Sequence, residues 1–226
     1  MTTLVRRTAF GVLTVERFPS SLSAASLLSR IHPEEAALAR AWGERRQRTY
    51  AMGRLVARSA LVALGGDVAG PILHDDRGAP RLAAPLSLSL SHKDEVAAAL
   101  VEHHDGSRIG VDVEPLTPHQ QARDTASHVL TEREREQLAH LDEAVRHREV
   151  LVRFALKEAL YKALDPYVRR YVGFLEVEAR PRGLEVDDER DVELTLALVR
   201  DGNFAASGRV LRIDELVVAL ARVTRA

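Results

Sequence analysis

The sequence predicts an α+β fold in two halves, residues 1–115 and 116–226. Stretches with strand patterns and helical patterns follow one another in the order β-α-β and then α-β. Two prolines close the first half, and a polar stretch that extends to about residue 129 follows them. The composition, with 46% hydrophobic and 29% charged residues in a chain of 226, is typical of a globular protein with a substantial core.

The first half begins with a strand pattern at residues 11–18 and continues into a long helical region. Pro33 starts that region, since proline suits the first helical position, and a break is expected near Gly43. Gly65 ends the region, and residues 75–80 have the composition of a turn. Strands are expected at residues 86–91, where leucine and serine alternate strictly, at 96–101 and at 108–114.

The second half opens with a capping box, in which Thr131 and Glu134 satisfy each other's backbone N–H groups at the start of a helix. A second helix is expected from about residue 143 to residue 164, and the following Asp165-Pro166 pair ends it. Three further stretches have strand patterns, at residues 171–179, 192–199 and 216–223.

Composition also excludes several classes of protein. A formal net charge of −1 gives no general attraction to nucleic acid or to a membrane surface. The absence of cysteine excludes disulfides, thiolate catalysis and cysteine zinc sites. No apolar run approaches the roughly 18 to 20 residues of a membrane span, and residues 1–18 lack the apolar core of a signal peptide. We therefore expect a cytoplasmic protein.

Two motifs carry most of the chemistry. In the strand pattern G-V-D-V-E, Asp112 and Glu114 point to the same face, because side chains alternate along a strand. In the later helix, we expect Lys157, Glu158 and Lys162 to share one side. Three carboxylates and two ammonium groups would suit a magnesium ion beside a phosphate. Each motif taken singly is also typical of an ordinary solvated surface.

Three further features strengthen the phosphate interpretation. The early helix has five arginines, whose forked guanidinium groups suit phosphate: Arg45, Arg46, Arg48, Arg54 and Arg58. A basic turn, Arg77-Gly78-Ala79-Pro80-Arg81, allows a ligand to approach its backbone closely. Ser91 and His92 end the alternating strand. Each feature also has a purely structural interpretation. The arginines could form a solvated helix face, residues 77–81 a plain surface turn, and Ser91-His92 a strand cap.

Taken together and in this order, the blocks resemble those of the 4′-phosphopantetheinyl transferases. The similar blocks are a G-R-x-x-A-R-x-A-L helix, Ser-His, G-V-D-V-E and F-A-L-K-E-A-L-Y-K-A, and the length indicates the larger, surfactin-synthetase-activating type. The resemblance implies a pseudo-dimer of two similar α/β halves with the active site in the cleft between them. It also implies transfer of 4′-phosphopantetheine from coenzyme A to a serine of an apo carrier protein, with release of 3′,5′-ADP.

The resemblance also assigns roles to residues. Asp112, Glu114 and Glu158 would hold Mg²⁺, and Asp112 would also border coenzyme A. Lys157 and Lys162 would bind the pyrophosphate, with Lys162 stabilising the leaving group and Glu158 as the general base. The remaining contacts to coenzyme A would come from the first half: His92 with Arg46 and Arg54 (Arg48 as the alternative) at the 3′-phosphate, Ser91 beside them, and Arg77, Gly78 and Pro80 at the adenine. Lys93 follows the Ser-His pair where the family often has cysteine or serine.

Other functions stay open at this point. The same acids and lysines could serve a magnesium-dependent phosphohydrolase, and the arginine helix could belong to a nucleic-acid-binding module, although only 4% of the residues are aromatic. For a transferase, the partners would be carrier domains of fatty-acid, polyketide or nonribosomal peptide synthases, docked on residues 114–131 or 133–153. We expect a monomer that binds neither nucleic acid nor membranes.

Overall fold

The computed structural model describes residues 2–82, 85–103, 105–116, 126–181, 189–198 and 201–225. The chain divides into two compact units, residues 1–105 and residues 106–226. Each unit combines an antiparallel sheet with one long helix packed on it, which confirms the α+β class. Among the described residues, no helix is both long enough and apolar enough to cross a membrane.

The first unit contains a four-stranded antiparallel sheet with the strand order β1-β2-β4-β3. Its strands are β1 (Thr3–Thr8), β2 (Gly11–Arg17), β3 (Leu86–Lys93) and β4 (Val96–His103). Its helices are α1 (Ala24–Leu28), α2 (Pro33–Ala39) and α3 (Glu44–Leu64).

Helix α3 packs on this sheet with its small and apolar side chains. Ala51, Met52 and Val56 are fully buried, and they share a core with Ala97 and Ala99 of β4. Small residues on both elements let the helix lie close to the strands, since close packing stabilises the fold only where the surfaces meet without voids. This packing fixes the position of the arginines that leave the same helix.

The second unit contains a five-stranded antiparallel sheet with the order β5-β9-β8-β7-β6. Its strands are β5 (Arg108–Pro115), β6 (Val177–Pro181), β7 (Glu189–Leu196), β8 (Phe204–Ile213) and β9 (Leu216–Arg225). Its helices are α4 (Glu132–Leu138) and α5 (Glu143–Val168), and a short 3₁₀ turn spans Phe174–Glu176. Helix α5 packs mainly on β5 and β9.

The helix starts predicted from caps are confirmed. Helix α2 begins at Pro33, and helix α4 follows the capping box of Thr131 and Glu134. Gly43 is the N-cap of α3, and Gly65 ends that helix with a φ of 89°, a conformation that glycine adopts without strain. Local hydrogen bonding therefore determines these boundaries.

The structure differs from the sequence prediction at five places. Strand β5, which we assigned to the first half, pairs with β9 in the second sheet, so the units divide about ten residues before Pro115. Helix α5 continues past Pro166 to Val168, because the left-handed residue Arg169 closes its last turn with a hydrogen bond to Asp165. Strands β1 and β8 were not predicted, and residues 174–176 form a 3₁₀ turn where a strand was expected.

Candidate active site

The close packing of β5 against α5 creates the centre of the candidate site. Gly110 faces the helix, and a Cβ atom there would overlap the carbonyl oxygen of Ala159 and lie 3.1 Å from the backbone N of Ala163. Only glycine allows this approach. Because side chains alternate along a strand, Asp112 and Glu114 lie on the same face as Gly110 and therefore point to the helix side.

Lys162 of α5 contacts the acidic strand directly. Its Nζ donates to Asp112 Oδ1 over 2.8 Å and to the carbonyl oxygen of Val111 over 2.9 Å. Asp112 and Glu114 are 4% and 7% exposed, and such burial of two carboxylates on one face is costly without a compensating cation. The structure thus brings together Asp112 and Lys162, as the sequence predicts.

Glu158 lies one helical turn before Lys162 and is partly exposed. Its spacing of four residues places it on the same side of α5 as Lys162. Among the residues that the structure describes, no three His, Cys, Asp or Glu side chains are close enough to hold a metal ion. The three-carboxylate magnesium site therefore stays a prediction, with Asp112 and Glu114 as its buried part.

Lys157 does not lie where we expected it. Its Nζ is buried, with 1% of the side chain exposed, and donates to Glu134 Oε2 over 2.6 Å and to the carbonyl oxygens of Val129 and Phe174. The physical reason is helical phase: five residues separate Lys157 from Lys162, and at about 100° a residue they lie about 140° apart. Burial lowers the pKa of Lys157, while the Glu134 carboxylate opposes that change.

We expect Lys157→Met to destabilise the second unit. The variant would leave the Glu134 carboxylate buried without its ammonium partner, which costs about 3–5 kcal/mol of unfolding free energy. Urea denaturation measures this loss, and Arg148→Met at an exposed position of the same helix is the control. A loss no greater than that of the control would contradict the structural role of Lys157.

The five arginines of the α3 region separate into two groups. Three have polar partners: Arg45 pairs with Asp94, Arg58 with Glu35, and Arg48 donates to the carbonyl oxygens of residues 18 and 19. The other two lie over aromatic rings, Arg46 at 4.4 Å from the ring centre of Trp42 and Arg54 at 4.2 Å from that of Tyr50. These contacts favour Arg46 and Arg54 over Arg48 as anion ligands.

Arg46 and Arg54 differ in exposure. Arg46 is exposed, whereas Arg54 is 5% exposed and lies against the ring of Tyr50. Burial lowers the pKa of Arg54, and the neighbouring Tyr50 and Glu35 oppose that change, so the guanidinium keeps its charge. Of these two arginines, Arg46 is therefore the one that solvent reaches.

Trp42 is a residue that the sequence analysis did not single out. Its ring also contacts Tyr50 edge-on at 5.0 Å, which produces an aromatic and arginine stack with residues four apart. The order Trp42, Arg46, Tyr50, Arg54 is visible in the sequence as a repeat of period four, a spacing that brings side chains together on a helix. This period of four is the sequence signal from which the role of Trp42 could have been inferred.

The basic turn forms a small hairpin near the same stack. His74 pairs with Pro80 in an isolated β-bridge, and Asp75 accepts hydrogen bonds from the backbone N–H groups of Arg77 and Ala79. Gly78 has a φ of 88°, which the turn requires. The ring of His74 lies 6.4 Å from that of Trp42, so the hairpin and the start of α3 are neighbours.

The Ser-His strand end lies against the same helix. Ser91 is buried on β3, and His92 is exposed at the next position. A Cβ built at Gly53 of α3 would lie 3.9 Å from the Cδ2 atom of His92, so the ring lies beside the helix one residue before Arg54. The first unit therefore places His92 beside the middle of α3 and the hairpin beside Trp42, just before the start of that helix.

Two family models match the chain. Residues 108–221, about half of it, match the 4′-phosphopantetheinyl transferase superfamily, and residues 34–102 match the 4′-phosphopantetheinyl transferase N-terminal domain. The chain belongs to the 4′-phosphopantetheinyl transferase superfamily. The transferase has its acidic strand and Lys162 within the first match, and its arginine helix, hairpin and His92 within the second.

Curated relatives agree with this assignment. The transferase is 36% identical over 165 residues to the 4′-phosphopantetheinyl transferase Npt of Nocardia iowensis, covering 70% of this chain and 72% of that protein. It is 33% identical to PptT of Mycobacterium tuberculosis and to Svp of Streptomyces mobaraensis, over 63% and 67% of this chain and 61% of each relative. All three are named 4′-phosphopantetheinyl transferases, which confirms the expected enzyme class and the larger type.

Solved structures of smaller synthases match parts of the chain. The Thermotoga maritima holo-[acyl-carrier-protein] synthase matches 53% of the transferase and 64% of its own chain, with 26% identity and a TM-score of 0.40. The Chronobacterium ammoniagenes ACPS-CoA complex matches 54% of the transferase and 99% of its own chain, with 18% identity and a TM-score of 0.42.

The family assignment defines the reaction. The transferase moves the 4′-phosphopantetheine group from coenzyme A to a carrier protein. The family assignment favours phosphopantetheine transfer over the phosphohydrolase and the nucleic-acid-binding module. It assigns no role to a particular residue or metal.

Proposed function

We propose that phosphoryl transfer takes place at the face formed by Asp112 and Glu114 of β5 and by Glu158 and Lys162 of α5. The observation that carries the proposal is the 2.8 Å contact between Lys162 Nζ and Asp112 Oδ1, next to the close approach of Gly110. The ammonium group and the buried carboxylate attract each other more strongly than they would in bulk water. Such a position suits the pyrophosphate of coenzyme A.

The chemistry of the donors, though not their spacing in this structure, suits a magnesium ion. Asp112 and Glu114 offer carboxylate oxygens on one buried face, and the Lys162 ammonium already shows that a cation is stable beside Asp112. With Glu158, these residues would hold the ion. When bound, the ion neutralises charge on the pyrophosphate and so favours attack on it.

The residues of this chain position the reacting groups. The serine oxygen of the carrier protein forms a bond to the β-phosphorus, the bond from that phosphorus to its bridging oxygen breaks, and 3′,5′-ADP leaves with that oxygen. Glu158 takes the proton of the serine hydroxyl, and Lys162 donates to the departing oxygen. Phosphoryl transfer depends mainly on positioning and charge neutralisation, which these groups supply.

The remaining contacts to coenzyme A are proposed on the first unit. Arg46, Arg54 and His92 would hold the 3′-phosphate, with Ser91 supporting the strand end. Arg77, Gly78 and Pro80 would border the adenine. Lys157 is left out of the phosphate contacts, because it is enclosed in the second unit. An active site in the cleft between the halves, a monomeric state and a cytoplasmic location stay predictions.

The carrier proteins are proposed to belong to fatty-acid, polyketide or nonribosomal peptide synthases. The test is the intact mass of apo carrier proteins of the three types after incubation with the transferase, coenzyme A and Mg²⁺. A gain of one phosphopantetheine group, absent with EDTA, supports the proposed substrate and metal. A gain that persists with EDTA removes the metal from the proposal, and no gain with any carrier contradicts the choice of partners.

Lys162→Ala is expected to slow the chemical step more than it weakens binding. Loss of the ammonium group removes charge stabilisation of the leaving group, so kcat should fall roughly 10²-fold while the KM for coenzyme A changes by much less. Steady-state kinetics measure both, and Arg212→Ala at an exposed position of β8 is the control for loss of a surface cation. A raised KM with unchanged kcat would assign Lys162 to binding alone.

A further inference from the structure

Trp42, the single tryptophan of the chain, links two parts of the proposed coenzyme A site. One face of its ring carries the guanidinium of Arg46, 4.4 Å from the ring centre. The ring of His74, which starts the hairpin of residues 74–80, lies 6.4 Å away. An arginine that lies over an aromatic ring is less mobile. The N–H groups at the edge of its guanidinium plane can still donate hydrogen bonds to a ligand.

The backbone holds Trp42 firmly in the turn between α2 and α3. The N–H of Trp42 donates to the carbonyl oxygen of Ala39, and its own carbonyl oxygen accepts from Gln47 Nε2 over 2.8 Å. Tyr50 supports the ring from the side in an edge-on contact. The half-buried indole is therefore a rigid surface on which a mobile surface arginine can be ordered.

We propose that Trp42 is a positioning residue that orders Arg46 and the hairpin, and thereby sets the selectivity of the transferase for donors with a 3′-phosphate. The inference rests on the proposed function of Arg46. Arg46 alone among the five arginines is both exposed and held by a ring, whereas Arg45, Arg48 and Arg58 have polar partners and Arg54 is buried. A preordered guanidinium loses less entropy when it binds phosphate.

The test compares coenzyme A with 3′-dephospho-coenzyme A as donors for a carrier protein that the transferase modifies. The quantity measured is the ratio of the two kcat/KM values for wild type, Trp42→Leu, Trp42→Phe and Arg46→Ala. Trp42→Leu should reduce the preference for coenzyme A by roughly tenfold, through the loss of ordered phosphate contacts. Trp42→Phe, which keeps an aromatic face, should restore most of it.

The double variant Trp42→Leu with Arg46→Ala distinguishes a positioning role of Trp42 from a general effect on stability. If Trp42 acts through Arg46, the double variant should show no further loss of preference beyond Arg46→Ala, because the two effects are coupled. The exposed Tyr171→Leu substitution in the second unit is the control and should leave the preference unchanged. Equal losses with both donors, or additive effects in the double variant, would overturn the inference.

Tryptophan fluorescence provides a readout that does not depend on catalysis. Because Trp42 is the single tryptophan, its emission should change on addition of 3′,5′-ADP and change less with 5′-ADP at equal concentration. Arg46→Ala should abolish the difference between the two nucleotides. If the wild type modifies no carrier protein but shows this difference, the proposed partners fail and the inference stands. If the two nucleotides give equal changes, the inference fails.

Discussion

Gly110→Ala is expected to destabilise the transferase strongly and to disturb the acidic face. The added Cβ would overlap the carbonyl oxygen of Ala159 and lie 2.8 Å from its carbonyl carbon. Overpacked cores typically lose about 1–3 kcal/mol of unfolding free energy, and backbone atoms cannot rotate away as side chains do. We expect a loss at or above the upper end of that range, measured by urea denaturation.

The activity of the folded fraction should fall as well. Strand β5 must move away from α5 to admit the methyl group, and this movement lengthens the contact between Asp112 and Lys162. Removing the side chain of Ala159 should not rescue the variant, because the overlap is with the backbone. Gly110→Ala with Ala159→Gly should therefore be no more stable than Gly110→Ala alone.

Gly208→Ala is the matched control for this experiment. Gly208 lies on β8 of the same sheet, but the nearest atoms to a Cβ there would be leucine side-chain carbons, Leu194 Cδ1 at 3.0 Å and Leu156 Cδ2 at 3.1 Å. Those groups can shift by a few tenths of an ångström, so the control should lose less stability. Equal losses for the two variants would show that β5 and α5 are not in close contact.

The motifs on β5 and α5 could be predicted from the sequence, because they depend on local geometry. Alternation along a strand places Asp112 and Glu114 on one face, and a spacing of four residues places Glu158 beside Lys162. The structure confirms the contact between Asp112 and Lys162. Local rules suffice for each motif taken singly, whereas the contact itself joins residues 50 positions apart and was expected from the co-occurrence of the two motifs.

Lys157 shows where the same reasoning fails. A charged residue next to Glu158 reads as part of a polar helix face, but its partner Glu134 lies on another helix, 23 positions earlier in the chain. The pairing of β5 with β9 is likewise non-local, with Asp112 opposite Ala219. Such partners follow from the packing of the whole unit, which periodicity does not reveal.

Asp112→Asn is expected to cause the largest loss of activity of any single substitution at the site. Asparagine keeps the size of the side chain and can still accept from Lys162, but it removes the negative charge that the proposed metal site requires. Loss of electrostatic stabilisation of this kind typically costs roughly 10²- to 10³-fold in kcat. The measurement is the rate of carrier-protein modification at saturating coenzyme A.

The stability of Asp112→Asn should change much less than its activity. Asp112 is 4% exposed, and a carboxylate buried beside Glu114 costs desolvation energy and repels its neighbour. Replacing it with a neutral amide relieves both costs but weakens the ion pair with the partly exposed Lys162, so the unfolding free energy should change little. Asp191→Asn on β7, where the carboxylate pairs with Arg209 near the surface, is the control and should leave the rate unchanged.

The combination of the two readouts separates a functional carboxylate from a structural one. If Asp112 is only structural, Asp112→Asn should lower the stability, because Lys162 loses its partner. The rate per folded molecule should then stay close to that of the wild type, because no catalytic group is lost. A functional Asp112 would show a lost rate with intact folding, and added Mg²⁺ would not restore it. A near-normal rate for Asp112→Asn at saturating Mg²⁺ would remove Asp112 from the site and leave the Lys162 contact as a feature of the fold.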